Sequence, residues 1–172
     1  MRADLPHAPD EVLEEWLKPY AEMIGWPPSP NSRGPLIGRW HGILSKRPVA
    51  FWANVRWRLA GGPLEFDHLD SDSRTALLGL RDAHVFGIRN AYSEITDGKQ
   101  RLTNIMEYVL RHGRIPGAVL FLESAGQRLS VIDGHHRLVA YFLNRDTRFR
   151  QALAGGVPAF DPALRKWIGE YE

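Results

Sequence analysis

Residues 129–142 read Leu-Ser-Val-Ile-Asp-Gly-His-His-Arg-Leu-Val-Ala-Tyr-Phe, and they constrain the fold more than any other stretch of the chain. An apolar run stops abruptly at Asp133-Gly134, and apolar residues resume at helical spacing with Leu138, Tyr141 and Phe142. The order is therefore strand, one-glycine turn, helix. The first turn of a helix leaves backbone N–H groups unpaired and carries a partial positive charge. Gly134 lets a ligand approach the backbone with no Cβ in the way. His135, His136 and Arg137 add donors in the turn where cations oppose the helix dipole. That cost predicts an anion site, with phosphate the best-fitting occupant. The alternative is that Asp133 caps the helix while the histidines are solvated or bonded to a neighbouring strand.

The remaining pattern predicts a mixed α/β (α+β) fold. Leu13, Trp16, Leu17, Tyr20 and Ile24 follow Asp10 at helix spacing, with Pro19 as a kink. A proline-rich stretch from Trp26 to Pro35 reads as a linker. A second helix is predicted over 46–62, with Phe51, Trp52, Val55 and Leu59 on one face. An acidic loop then leads into a short helix capped by Asp72 or Ser73. Residues 85–92 suit a short strand or extended segment. Leu102, Ile105, Met106, Val109 and Leu110 make one helical stripe that ends at Gly113. Two strands flank a Ser-Ala-Gly-Gln turn at 124–127, a last strand falls at 157–160, and Asp161-Pro162 opens a terminal helix. The predicted organisation is an N-terminal helical, basic-aromatic extension over 1–84, packed on a core of residues 85–172.

A chain of 172 residues without cysteine excludes a disulfide scaffold, a zinc ribbon and a thiol nucleophile. The N-terminus lacks a signal-peptide pattern and no apolar run reaches membrane-spanning length, so a cytoplasmic protein with no membrane partner is expected. Net charge is only +2, but its distribution is uneven. Residues 23–64 contain no acid, and their basic residues are interleaved with Trp26, Trp40, Phe51, Trp52 and Trp57. That pattern makes Arg39, Lys46, Arg47, Arg56 and Arg58 candidate contacts to nucleic acid, DNA in particular. Equally, Phe51 and Trp52 suit a core, with Trp40 and Trp57 covering an edge or forming a tryptophan-rich surface for a protein partner. Glu65, Asp67, His68, Asp70 and Asp72 lack the calcium-loop register and read as an acidic loop capping a helix.

Residues from about 85 to 160, a little under half of the chain, resemble the ParB/sulfiredoxin-like superfamily. The matching pattern is the helix ending Arg111-His112-Gly113-Arg114-Ile115-Pro116, the strand Ala118–Phe121, and Leu129–Gly134 followed by His135–Tyr141. The resemblance implies binding of ATP or another nucleotide at the glycine turn. Carried over by position, Gly134, His135, His136 and Arg137 contact the phosphates, and Asp133 orients a histidine or helps to hold Mg2+ or Mn2+. Asp133 and His136 are then catalytic candidates. The preceding segment of the family supplies an acid and cations, which makes Glu94 a general base or metal-linked carboxylate and Lys99 and Arg101 phosphate contacts. His135 stands where sulfiredoxin carries its cysteine, so sulfinic-acid reduction is excluded. The chain's size and N-terminal extension are also similar to plasmid fertility-inhibition proteins of the Osa type, which act as ATPase and DNase effectors. The expected function is a metal-dependent ATPase or DNase, a nucleoside triphosphatase or nuclease. The alternatives are a small-molecule kinase of the free-serine type and a non-catalytic nucleotide- or partner-binding module.

Overall fold

Alternation along one long strand divides the molecule into layers. The computed structural model describes residues 1–28, 39–123, 128–150 and 161–171, the side chains of 147 and 148 excepted. Most of the expected linker, the 124–127 turn and the 157–160 strand lie outside the described residues. The sheet has the order β1 (Arg56–Ala60), β4 (Ala163–Glu170), β2 (Arg114–Glu123), β3 (Leu129–Asp133). β2 pairs with β4 in parallel, and the two outer pairings are antiparallel. On β2, Val119 and Phe121 face one core while Leu120 and Leu122 face the other.

The first core lies under α4 (Ser71–His84), α5 (Gly98–His112) and α6 (His135–Arg145), with Leu77, Leu80, Leu102, Val109, Leu138 and Phe142 buried there. α7 (Thr147–Arg150) continues from α6. The second core lies under the N-terminal helices. α1 begins at Asp10–Val12, runs through a π-helical segment, Leu13–Leu17, and ends as Lys18–Ile24. The Lys18 N–H bonds to Leu13 O, five residues back, just before Pro19, which has no N–H to donate. α2 (Arg39–Ile43) and α3 (Val49–Trp52) complete this layer, which buries Trp16, Leu17, Trp40, Leu44 and Trp52. The protein is thus a mixed α/β molecule of helix, sheet and helix layers.

Several predicted elements are corrected. Residues 46–62 are not one helix: α3 stops after Trp52, and residues 56–60 form β1. The helical stripe required Leu59 inside, whereas Leu59 is 53% exposed and Trp57 packs on the second core. Residues 163–170 form β4, not a terminal helix. Leu164 and Ile168 point into the first core, and between them Lys166 is buried on the same face. Its ammonium donates to Gly62 O at 2.8 Å and Pro63 O at 3.3 Å, so a lysine stands where the alternation wants an apolar residue. Of the two alternatives for residues 85–92 the strand is absent, and their end enters a 3-10 turn, Ala91–Glu94. Leu110 lies outside the buried stripe of α5, at 61% exposure. The cap of α4 is Asp70 rather than Asp72 or Ser73.

That cap matters for the site. Asp70 accepts from the Ser73 N–H at 2.8 Å and from the Ser130 hydroxyl, and its own N–H bonds to Leu129 O at 3.0 Å. The Ser73 hydroxyl accepts from the Val131 N–H at 2.9 Å. The start of α4 thereby holds the outer side of β3, the strand that delivers Gly134.

Candidate functional site

β3 ends at Asp133, and Gly134 turns the chain into α6 with φ 96° and ψ 24°. L-residues rarely adopt this conformation. A Cβ built there would also stand 3.1 Å from Val119 Cγ2. The first hydrogen bond of α6 runs from the Leu138 N–H to Gly134 O at 2.9 Å. The N–H groups of His135, His136 and Arg137 have no acceptor among the described residues, and no side chain caps this end. They border a cleft of about 620 Å³. Asp133 to Arg137 form one wall, and Arg101, Asn104 and Ile105 of α5 form the facing one. Tyr20 of α1, with Tyr92 and Ile95 from the turn before α5, supplies apolar and aromatic surface.

The charges of the turn are largely settled inside the protein. Arg137 folds back toward β2, where its guanidinium donates to Ala118 O at 2.6 Å and to Asp133 at 2.5 Å. Glu15 of α1 lies 3.5 Å from the same guanidinium and accepts from the Ala118 N–H at 3.0 Å. Gly117, at φ 66°, makes room for this knot, since a Cβ there would come within 2.7 Å of both Arg137 and Glu15. Arg101 bonds to Asp97 at 2.6 Å. Burial pushes the His135 imidazole below its ordinary range, against the pull of Asp133. Burial also pushes His136 down to about 4, helped by His84, Arg101 and His135 and opposed by Asp97. Both rings are therefore neutral near pH 7. His136 stacks on His84 with 5.4 Å between ring centres, and the Nε2 atoms of both rings are buried without a partner. Gly98, the first residue of α5, permits the stack: a Cβ there would lie 2.4 Å from the His84 ring.

The cleft gathers Asp133, Gly134, His135, His136, Arg137 and Arg101 from the sequence-derived set. It does not gather Glu94 or Lys99, which are exposed on the approach to α5 and at its start and are not among the lining residues. Arg137 is placed as an internal tie, so its charge is not free for a ligand. The cost expected from two cationic histidines and a free arginine at a helix start is also absent, because burial and the carboxylates remove it. What remains for an anion is the three backbone N–H groups, the unused donors of Arg101 and a polarisable wall.

Among the described residues no three side chains of ligating type gather around a common point. Mg2+ on a nucleotide ordinarily needs only one or two carboxylates beside the phosphates. Asp133 is the residue placed to provide one, although Arg137 already engages it. A divalent ion there would supply neutralisation of phosphate charge.

The candidate nucleic-acid residues fall into separate places. Arg58 is paired with Glu123 at 3.1 Å and with Glu170. Arg39 lies against Met23 Sδ and over the Tyr20 ring. Lys46 is exposed in a left-handed turn at φ 63°. Arg56 lines a pocket near the end of β4, and Arg47 lies against two of that pocket's rings, as described below. The expected tryptophan-rich surface is not present. Trp16, Trp40 and Trp52 are buried, and Trp26, Trp57 and Trp167 are partly covered. Their rings pack on one another, as Trp16 does on Trp52 at 4.9 Å.

Sequence reasoning missed Glu15, Tyr20, His84, Tyr92 and Asn104, all brought in by tertiary packing. Glu15 gave no signal in the sequence, because with Glu14 it falls on the exposed positions between Val12–Leu13 and Trp16–Leu17. No family model, curated protein or solved structure matches this chain. What the fold and site define is therefore the class alone, a layered α/β protein with a helix-start cleft at its sheet edge. Among the described residues no helix is long and apolar enough to cross a membrane.

Proposed function

We propose that this is a cytoplasmic nucleotide-binding protein of ParB/sulfiredoxin-like type, which holds a nucleoside phosphate in the cleft at the start of α6. The observation that carries this reading is the convergence of three acceptor-free N–H groups with aromatic surface in one cleft. Phosphate suits the N–H groups, and Arg101 adds donors from the facing wall. Tyr20, Tyr92 and Ile95 offer contacts to a base or ribose. Both arginines are already paired with carboxylates, so a polyphosphate enters best with Mg2+ or Mn2+ neutralising it.

The second reading adds turnover, as an ATPase or DNase, and Asp133 beside the phosphate position favours it. Among the described residues the cleft offers little else to the chemical step. Glu94 is outside the cleft lining, and the Nε2 of His136 is shut away from solvent. An imidazole held neutral down to about pH 4 is also a weak base.

Thermal shift against ATP, ADP, CTP and GTP, with and without Mg2+, tests binding, since a ligand of the folded state alone raises its stability with the logarithm of concentration over Kd. At least one Mg-nucleotide is expected to raise the melting temperature, and Arg101→Ala to reduce that shift. No shift with any of the four at millimolar concentration contradicts the reading. Phosphate release and plasmid nicking, each with Mg2+ or Mn2+, separate turnover from binding.

A further inference from the structure

A second concave site lies across the sheet from the α6 cleft. It is a pocket of about 670 Å³ where β1 begins and β4 ends, lined among the described residues by Phe51, Asn54, Arg56, Glu170 and Tyr171. Arg56, the first residue of β1, pairs in register with Glu170. Strands β4 and β2 separate β1 from β3, so the two sites lie on opposite edges of the sheet.

The side chains here combine flat surfaces with unneutralised cations. The Phe51 and Tyr171 rings meet edge to face, with centres 4.9 Å apart. The Arg47 guanidinium lies 4.2 Å from the Phe51 ring centre and 5.3 Å from that of Tyr171. Tyr171 keeps 38% of its surface exposed. The Arg56 guanidinium lies 3.1 Å from the His7 ring nitrogen, and the residue is exposed. Among the described residues, neither Arg47 nor Arg56 has a carboxylate partner. The acid of the pocket, Glu170, is taken up by Arg58. The lining therefore holds the Arg56 guanidinium beside an edge-to-face ring pair, and the Arg47 guanidinium rests against both of those rings.

We propose that this pocket binds single-stranded nucleic acid, with backbone phosphates on Arg47 and Arg56 and a base stacked on Tyr171 and the Arg47 plane. Aromatic and guanidinium faces recognise the face of any base, and free cations recognise the phosphates between bases. A duplex hides its base faces, so the aromatic part of the pocket selects an unpaired strand. An acidic peptide would use the arginines but gain nothing from Tyr171.

The test is fluorescence anisotropy of a labelled oligothymidylate of about 12 nucleotides with the full chain at several salt concentrations. Affinity is expected to fall with added salt, with a log–log slope of at least about −1.4 for two phosphates on a single strand. Arg47→Gln and Arg56→Gln should each make that slope shallower by about 0.7. Tyr171→Ala should weaken binding at least about fivefold while Tyr171→Phe retains it, because stacking needs the ring and not the hydroxyl. Saturating Mg-ATP should leave the strand bound. No binding at low salt, arginine variants with an unchanged slope, or a Tyr171→Ala variant as tight as wild type would each overturn the proposal. So would equal competition by duplex DNA or polyglutamate, or displacement of the strand by Mg-ATP. The salt slope of the unaltered protein decides the matter even where a variant misfolds, and none of the oligothymidylate affinities depends on nucleotide binding beside α6.

Discussion

Gly134 is the residue on which the cleft turns. Its φ of 96° and the Val119 methyl 3.1 Å from a would-be Cβ make two separate objections to any side chain. Gly134→Ala is expected to cost about 1–3 kcal/mol in urea unfolding, since strain in the left-handed region adds to the clash. A loss below about half a kcal/mol would show that the turn relaxes freely. The neighbouring histidines were visible in the sequence as chemistry, but their charge state was not. A string of letters does not show that burial holds His136 neutral down to about pH 4, or that Asp133 and Glu15 occupy Arg137. The folded-state pKa of His136 is below the 6.5 of an ordinary histidine, so the unfolded chain binds the proton more readily. The resulting stability is complete above pH 6.5 and is lost as pH falls toward 4. Allowing for solvent screening of a half-buried ring, the loss is about 2 kcal/mol. Urea titrations between pH 7 and 4 should show that fall, and His136→Phe should flatten it.

Elements with a consistent local pattern were legible: α5 from its stripe and the left-handed Gly113, α6 from its buried face, and β3 from its abrupt end. β1 and β4 were misread for different reasons. In β1, Arg56 and Arg58 alternate with Trp57 and Leu59, but Leu59 also continued a helical stripe from Phe51, Trp52 and Val55. In β4, Lys166 stands on the buried face between Leu164 and Ile168, and pairing with distant strands sets both elements. Lys166 lies inward because Gly62 and Pro63 offer carbonyls; burial lowers its pKa, and repulsion from Arg145 and Arg58 lowers it further. At the start of α4, Asp70 serves two elements at once, as helix cap and as anchor for β3. Burial would raise its pKa, but the bonds from Ser130 and Ser73 prevail and hold it below the usual carboxylate range. Asp70→Ala is expected to destabilise the fold by about 1–2 kcal/mol, and Asp70→Asn by less, since the amide oxygen still caps the helix. Equal losses for the two variants would mean that the charge, not the cap, is what β3 needs.

The three layers place the two candidate sites on opposite edges of one sheet, each built from parts far apart in sequence. The α6 cleft draws Tyr20 from the N-terminal layer, Arg101 from α5 and its N–H groups from α6. The pocket beside β1 draws Phe51 from α3, Arg56 from β1 and Tyr171 from just past β4. This explains why the glycine turn could be found in one short stretch while its walls could not. It also explains why the basic, aromatic stretch of residues 23–64 looked like one surface. The fold buries Trp40 and Trp52, partly covers Trp26, Phe51 and Trp57, and leaves Arg56 lining one pocket with Arg47 against its rings. Isothermal titration of Mg-nucleotides into the intact protein, repeated with Arg101→Ala, bears most directly on the α6 cleft. Saturable one-to-one binding that weakens severalfold in the variant is the predicted result. Absence of heat and of any melting shift with all four nucleotides, or binding indifferent to Arg101→Ala, would contradict it.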